Sequence, residues 1–231
     1  MILRAALMVL ALTSSAAAQE ITAARFAEPT ERYTHGILGD AIEFGALQID
    51  VAGRGTVTVT LPRDHVFEDV APRLWDVTGD GLPEVVVIET DVALGGSLAV
   101  YGADGKIAET LHIGRTNRWL APIGAADLDG DGAIEIAYID RPHLAKVLRV
   151  WRFKDGALEP VADVSGFTNH RIGERDIAGG IRTCAGAPEM IVATADWARV
   201  SAVRFGLNGF EVRDIGPHQG RDSFAKALGC Q

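Results

Sequence analysis

Short apolar runs return along this chain at a near-constant interval, and each begins just after a glutamate. Val85-Val-Val-Ile88 follows Glu84, Ile136-Ala-Tyr-Ile139 follows Glu135, and Met190-Ile-Val192 follows Glu189. Glu84 and Glu135 stand 51 residues apart, and Glu135 and Glu189 stand 54 apart. A weaker copy precedes them at Asp40-Ala-Ile-Glu43-Phe. A second β-branched run follows each glutamate by 14 to 16 residues, centred on Val57, Val100, Val150 and Val203. Alternating β-branched runs of this length predict strands. The dipeptides Asp104-Gly105, Asp155-Gly156 and Asn208-Gly209 come next. Such pairs tolerate positive φ and predict hairpin turns. A further strand is predicted after each turn, over Ile107–Leu111, Leu158–Val164 and Phe210–Ile215. No long helical period stands out.

A fixed period of this size with about four short strands per unit predicts an all-β fold, a β-propeller of four-stranded antiparallel blades. Four blades account for residues 35–219. Five shorter ones would result if the N-terminal segment closed the last sheet. An all-β sandwich or an open β-solenoid is the rival architecture. Residues 19–34 read as an extended lead-in and residues 220–231 as a C-terminal tail.

The first 18 residues change the picture of where the chain works. Arg4, the apolar stretch Ala5–Leu12 and Ala16-Ala17-Ala18 read as a cleaved export signal, too short for a spanning helix. The expected address is the periplasm or the exterior. In an oxidising compartment Cys184 and Cys230, the only two cysteines, are most simply a disulfide that ties the tail to the body. The chain has 231 residues, with 31 Asp and Glu against 22 Lys and Arg, a formal charge of −9. That balance argues against nucleic acid and anionic membrane surfaces as partners. A monomer with no membrane insertion is expected.

The segment before each of the two clearest strands carries candidate metal chemistry. Asp127, Asp129, Asp131 and Glu135 place carboxylates at positions 1, 3, 5 and 9 of a loop, and Ala133 can offer its carbonyl at position 7. Asp76, Thr78, Asp80, Leu82 and Glu84 repeat the scheme with a hydroxyl at position 3. Calcium is a hard cation that takes six to eight oxygens at flexible angles, which suits this pattern better than magnesium. One or two calcium ions are expected, the Asp127 loop ranking first because it carries more charge. The unit at Glu189 lacks the alternating aspartates, and the one at Asp40 and Glu43 is too sparse.

These loops, the strands after them and the 51-residue spacing resemble the FG-GAP/VCBS repeat family, the calcium-loop β-propellers of secreted bacterial proteins and integrin heads. The resemblance covers residues 75–151 well and the rest weakly. It implies the same calcium ligands in both loops, although the family's usual last ligand is Asp where this chain has Glu. It does not name a role, because such propellers serve many.

A second candidate site rests on polar residues in the segments that should lie near the propeller axis. Arg73, Arg118, His170, Arg171 and Arg175, with His35, Trp75 and Trp119 among them, could line a channel for an anionic or sugar-like ligand. The alternative is a wet channel whose arginines pair with Glu174 or Asp69. His143 and His218, each beside a proline, read as loop-surface residues. No H-E-x-x-H, G-x-S-x-G or phosphate-binding loop is present, so no catalytic residue is assigned. A His170–Glu174 acid–base pair is conceivable. The reading is an exported calcium-binding module for a protein or glycan partner, with a cell-envelope enzyme using the channel as the alternative.

Overall fold

At Glu84, Glu135 and Glu189 the strand that follows becomes the middle of a repeat unit, because its residues are apolar on both faces and must be covered on both. The structure is a computed structural model that describes residues 19–184 and 186–231. The expected export signal, residues 1–18, lies outside the described residues.

The first unit holds β1 (Ile21–Thr30), β2 (Glu43–Val51) and β3 (Gly55–Thr60). The second holds β4 (His65–Phe67), β5 (Arg73–Trp75), β6 (Glu84–Asp91), β7 (Gly95–Gly102) and β8 (Gly105–Glu109). The third is β9 (Leu120–Ala126), β10 (Glu135–Asp140), β11 (Val147–Lys154) and β12 (Ala157–Ser165). The fourth is β13 (Phe167–Thr168), β14 (Gly180–Thr183), β15 (Pro188–Thr194), β16 (Arg199–Gly206) and β17 (Gly209–Pro217). A single helix, α1 (Arg221–Leu228), ends the chain. All pairings are antiparallel, as the hairpin signals require. Asp155 and Gly156, the two-residue turn between β11 and β12, both take positive φ, 51° and 79°, as a type I′ hairpin needs.

Three units depart from the four-strand pattern. The first has three strands, and its lead-in is part of it: β1 pairs with β2 along its length. The first and second units also share one hydrogen-bonded sheet, because β4 pairs with both β2 and β6. In the second and fourth units the first strand is split, β4 from β5 and β13 from β14. The excursions between the pieces, residues 68–72 and 169–179, build the central site described below.

The alternation of side chains joins the units. Val85 and Val87 of β6 pack toward the first unit with Leu47 and Ile49, while Val86 and Ile88 pack toward the third with Ile136. Ala137 and Ile139 of β10 face the fourth unit with Met190 and Val192. The series stops there. Ile191 and Ala193, on the other face of β15, are covered by Phe224 and Ala227 of α1. The outer face of the first unit is polar, carrying Arg25, Gln48, Asp50, Thr56 and Thr58. Among the described residues no core cluster joins the fourth unit to the first; they meet through inner loops, where Gly173 N–H donates to the Ile37 carbonyl at 2.9 Å. The all-β repeat stack is as expected, but a closed ring of blades is not seen: a helix and a polar face stand where a closing core would lie. The expected disulfide is present, Cys184 to Cys230, and it anchors the end of α1.

Candidate functional site

Both acidic loops fold by the same local rules. Asp76 accepts N–H bonds from Gly79 at 2.7 Å and Gly81 at 2.9 Å, and Asp127 accepts them from Gly130 at 2.8 Å and Gly132 at 3.0 Å. The four glycines take positive φ, which lets the chain curl around the first aspartate. Asp80 caps Leu82 N–H, and Asp131 caps Ala133 N–H. The closing glutamates also match: Glu84 accepts from Val77 N–H and Glu135 from Leu128 N–H, each at 2.8 Å. Burial pushes the carboxyls of both glutamates up, against the pull of these backbone donors.

One residue makes the two loops different. Arg152, in register with Glu135 across β10 and β11, enters the Asp127 loop. Its guanidinium lies 2.9 Å from Asp129, 2.9 Å from Asp131 and 2.6 Å from Glu135. Asp127, Asp129 and Glu135 offer oxygens within 4.8 Å of one another, so the donor set for a cation is gathered, with an internal cation already against it. In the second unit the β6–β7 register ends at Val85 and Tyr101, and the next residue of β7, Gly102, has no side chain to play this part. There Thr78 bonds Glu84 instead, at 3.3 Å. In the fourth unit Glu189 faces Arg204 and is also paired with Arg182 and Arg213, at 3.2, 2.8 and 2.9 Å. Burial acts to raise Glu189, but the bonds from Arg213 and Arg182 outweigh it and hold its carboxyl below the ordinary range. Arg152 was missed in the sequence. The only signal for it was an arginine at the strand position opposite the repeated glutamate.

Residues 76–138 match the family described as FG-GAP-like repeat. Over this stretch the chain is similar to an FG-GAP-like repeat. The matched stretch opens on Asp76 and runs through both loops to Tyr138, so the two loops that fold alike are the FG-GAP-like part. Comparison with curated proteins and with solved structures found no match.

The five residues expected to line an axial channel are not brought together. Arg73 is held by Asp69 at 2.6 Å and lies over the Trp75 ring. Arg171 sits over the Trp197 ring at 4.4 Å. Arg175 faces Asp40 at 3.6 Å, in a separate groove. Each of these arginines is captured by a carboxylate or ring close to its own loop. Arg118 alone lines the central cleft, a cavity of 240 Å³ where the units meet. His170 is fully buried behind it.

The cleft is built by loops of the first, third and fourth units and by the segment that joins the second to the third. His35 comes from the first, held through Nδ1 by the buried Glu68 at 2.5 Å. Glu68 also accepts the Thr90 hydroxyl at 2.7 Å, and its carbonyl accepts the Trp119 indole N–H at 2.7 Å. Burial raises the Glu68 carboxyl, while His35 and Thr90 pull it back. The third unit supplies Arg141 and His143. His143, expected on a loop surface, instead places Nε2 3.2 Å from His170 Nδ1. The partner of His170 Nε2 is the Glu174 carbonyl, at 2.9 Å, rather than its carboxylate, so no acid–base pair forms. A carbonyl only accepts, so His170 carries its proton on Nε2 and His143 donates to its Nδ1. Burial lowers both histidines, His143 to about 4, which keeps this neutral arrangement at neutral pH. His218 packs edge-on against Trp197 and Phe224 and is structural.

Proposed function

We propose that this protein is an exported interaction module whose stacked FG-GAP-like units hold calcium in their acidic loops and offer their surface to a protein or glycan partner. The observation that carries the reading is the identical hydrogen-bond scheme of the loops at Asp76 and Asp127. Two loops that curl alike around a first aspartate and end on a buried glutamate are poor accidents of turn formation. Asp127, Asp129 and Glu135 gather their oxygens against the Arg152 guanidinium, and a hard cation could take the same donors. Asp76, Thr78, Asp80, Leu82 and Glu84 would hold the ion in one loop, and Asp127, Asp129, Asp131, Ala133 and Glu135 in the other. Calcium there supplies a charge centre that ties the loop to the start of the next strand. In the second loop it must displace Arg152. Export is supported by the Cys184–Cys230 disulfide and by the reading of residues 1–18. No helix among the described residues is long and apolar enough to cross a membrane.

Thermal unfolding in chelator and in calcium tests the metal reading. At about 100 times the dissociation constant one site adds ~2.7 kcal/mol. For a domain of this size that is roughly 5–10 °C. The rise should be absent with magnesium, and Asp80→Ala should remove part of it. An unchanged Tm in calcium would strip the metal from the proposal. A glycan array probed with the folded protein, with and without calcium, then tests the binding role.

A further inference from the structure

The central cleft carries an assignment of its own, independent of the calcium loops. It is lined by loops of the first, third and fourth units and by the segment that joins the second to the third, and its lining is largely apolar, with Ile37, Trp119, Leu144 and Ile172 among its walls. Ile172 is 69% exposed and Leu144 62% exposed. Leu144 and Ile172 extend the apolar wall of the cavity to its mouth, the kind of lining that small-molecule clefts carry.

The polar groups are few, and most are already paired. Arg141 is taken by the carboxylate of Asp140, through bonds of 2.8 and 2.9 Å. Arg118 is different. Its guanidinium makes one hydrogen bond, to the Asn117 carbonyl at 2.7 Å, and has no carboxylate partner among the described residues. In a chain with 31 acidic and 22 basic residues, a half-buried arginine without an acid is a cation with bonding capacity to spare. The backbone around it is held in place. Asn117 and Arg141 both adopt left-handed φ, 53° and 47°, and Asn117 N–H is fixed by the Tyr33 hydroxyl at 2.8 Å. Non-glycine residues in that region are costly and concentrate where a site must be shaped. His35 has Nδ1 pinned by Glu68, so in the neutral ring Nε2 is an acceptor and a ligand carboxylate falls to Arg118 alone. The Glu68 carboxylate is itself taken up by His35 and Thr90, so it does not oppose an anion in the cleft.

We propose that this cleft binds a small organic acid, a single carboxylate on a short apolar or aromatic body, with Arg118 on the carboxylate and the body against Trp119, Ile37 and Ile172. One guanidinium without lysines suits one carboxylate, whose planar oxygens match its fork, better than a phosphate ester. Apolar walls with few donors do not suit an unsubstituted sugar. The volume of 240 Å³ admits one ring with a short acid arm.

The test is titration of the ¹⁵N-labelled protein with phenylacetate, hexanoate and the neutral phenylacetamide, following the Trp119 indole N–H, with calorimetry in parallel. The expected result is saturable movement of that signal by at least one acid, with Kd near ~1 mM or tighter. Phenylacetamide should bind at least ~10-fold more weakly, the loss set by a charge-assisted bond. Arg118→Gln should weaken the acid at least ~10-fold, with Tm unchanged because Arg118 has no ion pair to lose. Ile172→Glu, at an exposed position, should do the same by placing a like charge at the mouth. No saturation by either acid up to ~20 mM, equal binding of acid and amide, or wild-type affinity in Arg118→Gln would each overturn the proposal. Chelator and calcium should give the same result, so failure here is separable from failure of the metal reading.

Discussion

Arg152 on β11 places its guanidinium 2.6 Å from the Glu135 carboxylate on β10, and so puts a permanent cation inside an acidic loop that would otherwise require one. Its side chain also spans Asp129 and Asp131. A guanidinium and a calcium ion cannot use the same oxygens at once. On the proposed calcium reading the third repeat unit would have two ways to neutralise its loop, whereas the second has no arginine of its own against Glu84.

Replacing Arg152 should consequently act in opposite directions in the two conditions. In chelator, Arg152→Gly leaves a buried glutamate and its neighbours without a partner, and stability should fall by about 1–3 kcal/mol. In calcium the same variant should gain more than the wild type does, because the ion no longer displaces a guanidinium. Differential scanning calorimetry with and without calcium checks this. An equal loss in both conditions would show that Arg152 and calcium do not compete.

Glu43 is an internal liability at neutral pH. It is 2% exposed, and burial, then the charges of Glu68, Asp40 and Asp69, push its carboxyl up to about 9. The folded chain holds this proton where the unfolded chain has lost it. The associated stability is complete below the ordinary glutamate value and drains away as pH rises toward 9. Glu43→Gln should raise the melting temperature at pH 8, by about 1–3 kcal/mol in free energy, and have little effect at pH 4. Parallel pH slopes for variant and wild type would contradict the assignment.

His143 behaves in the opposite sense. Burial and the neighbouring His170 lower it to about 4, so the folded state keeps it neutral while the unfolded chain protonates near its ordinary value of 6.5. Stability from this pair is present above about pH 6.5 and is lost as pH falls toward 4. His143→Gln, which can still donate to His170, should flatten the acid limb of the stability profile. A proton NMR titration that placed His143 near 6.5 would remove the basis for this expectation.

The Cys184–Cys230 bond closes a loop across 46 residues and secures the helix that covers Ile191 and Ala193. Chain-entropy arguments put such a cross-link at about 4 kcal/mol. The double variant Cys184→Ser, Cys230→Ser should melt well below the wild type and show faster hydrogen exchange in α1. Unchanged exchange there would mean that Phe224 and Ala227 hold the helix without the bond.

Much of the architecture was legible in the chain itself. The glutamate followed by a two-faced apolar strand marked the middle of the second, third and fourth repeat units, and the Asp-Gly and Asn-Gly pairs marked the hairpins, because both signals act within a few residues. The helix α1 was not legible: eight residues cannot sustain a helix alone, and Phe224 and Ala227 are helical because β15 and β16 give them a face to cover. The split strands of the second and fourth units were equally hidden, since the pieces are recognised as one strand only by their shared pairing with β6 or β15.

The sequence by itself determined the period of the repeat, the local curl of the loops at Asp76 and Asp127, and the pairing of its two cysteines. Each depends on backbone conformations and donors a few residues apart, or on a choice with one solution. Tertiary structure decided the rest. Only strand register sets Arg152, rather than a glycine, against an acidic loop. Only the meeting of the units joins His35, Arg118, Trp119 and His143, while Arg73, Arg171 and Arg175 go to partners elsewhere. Charge and hydrogen-bond partners at those positions come from residues tens of positions away, so they follow from how the sheets stack and not from any local pattern.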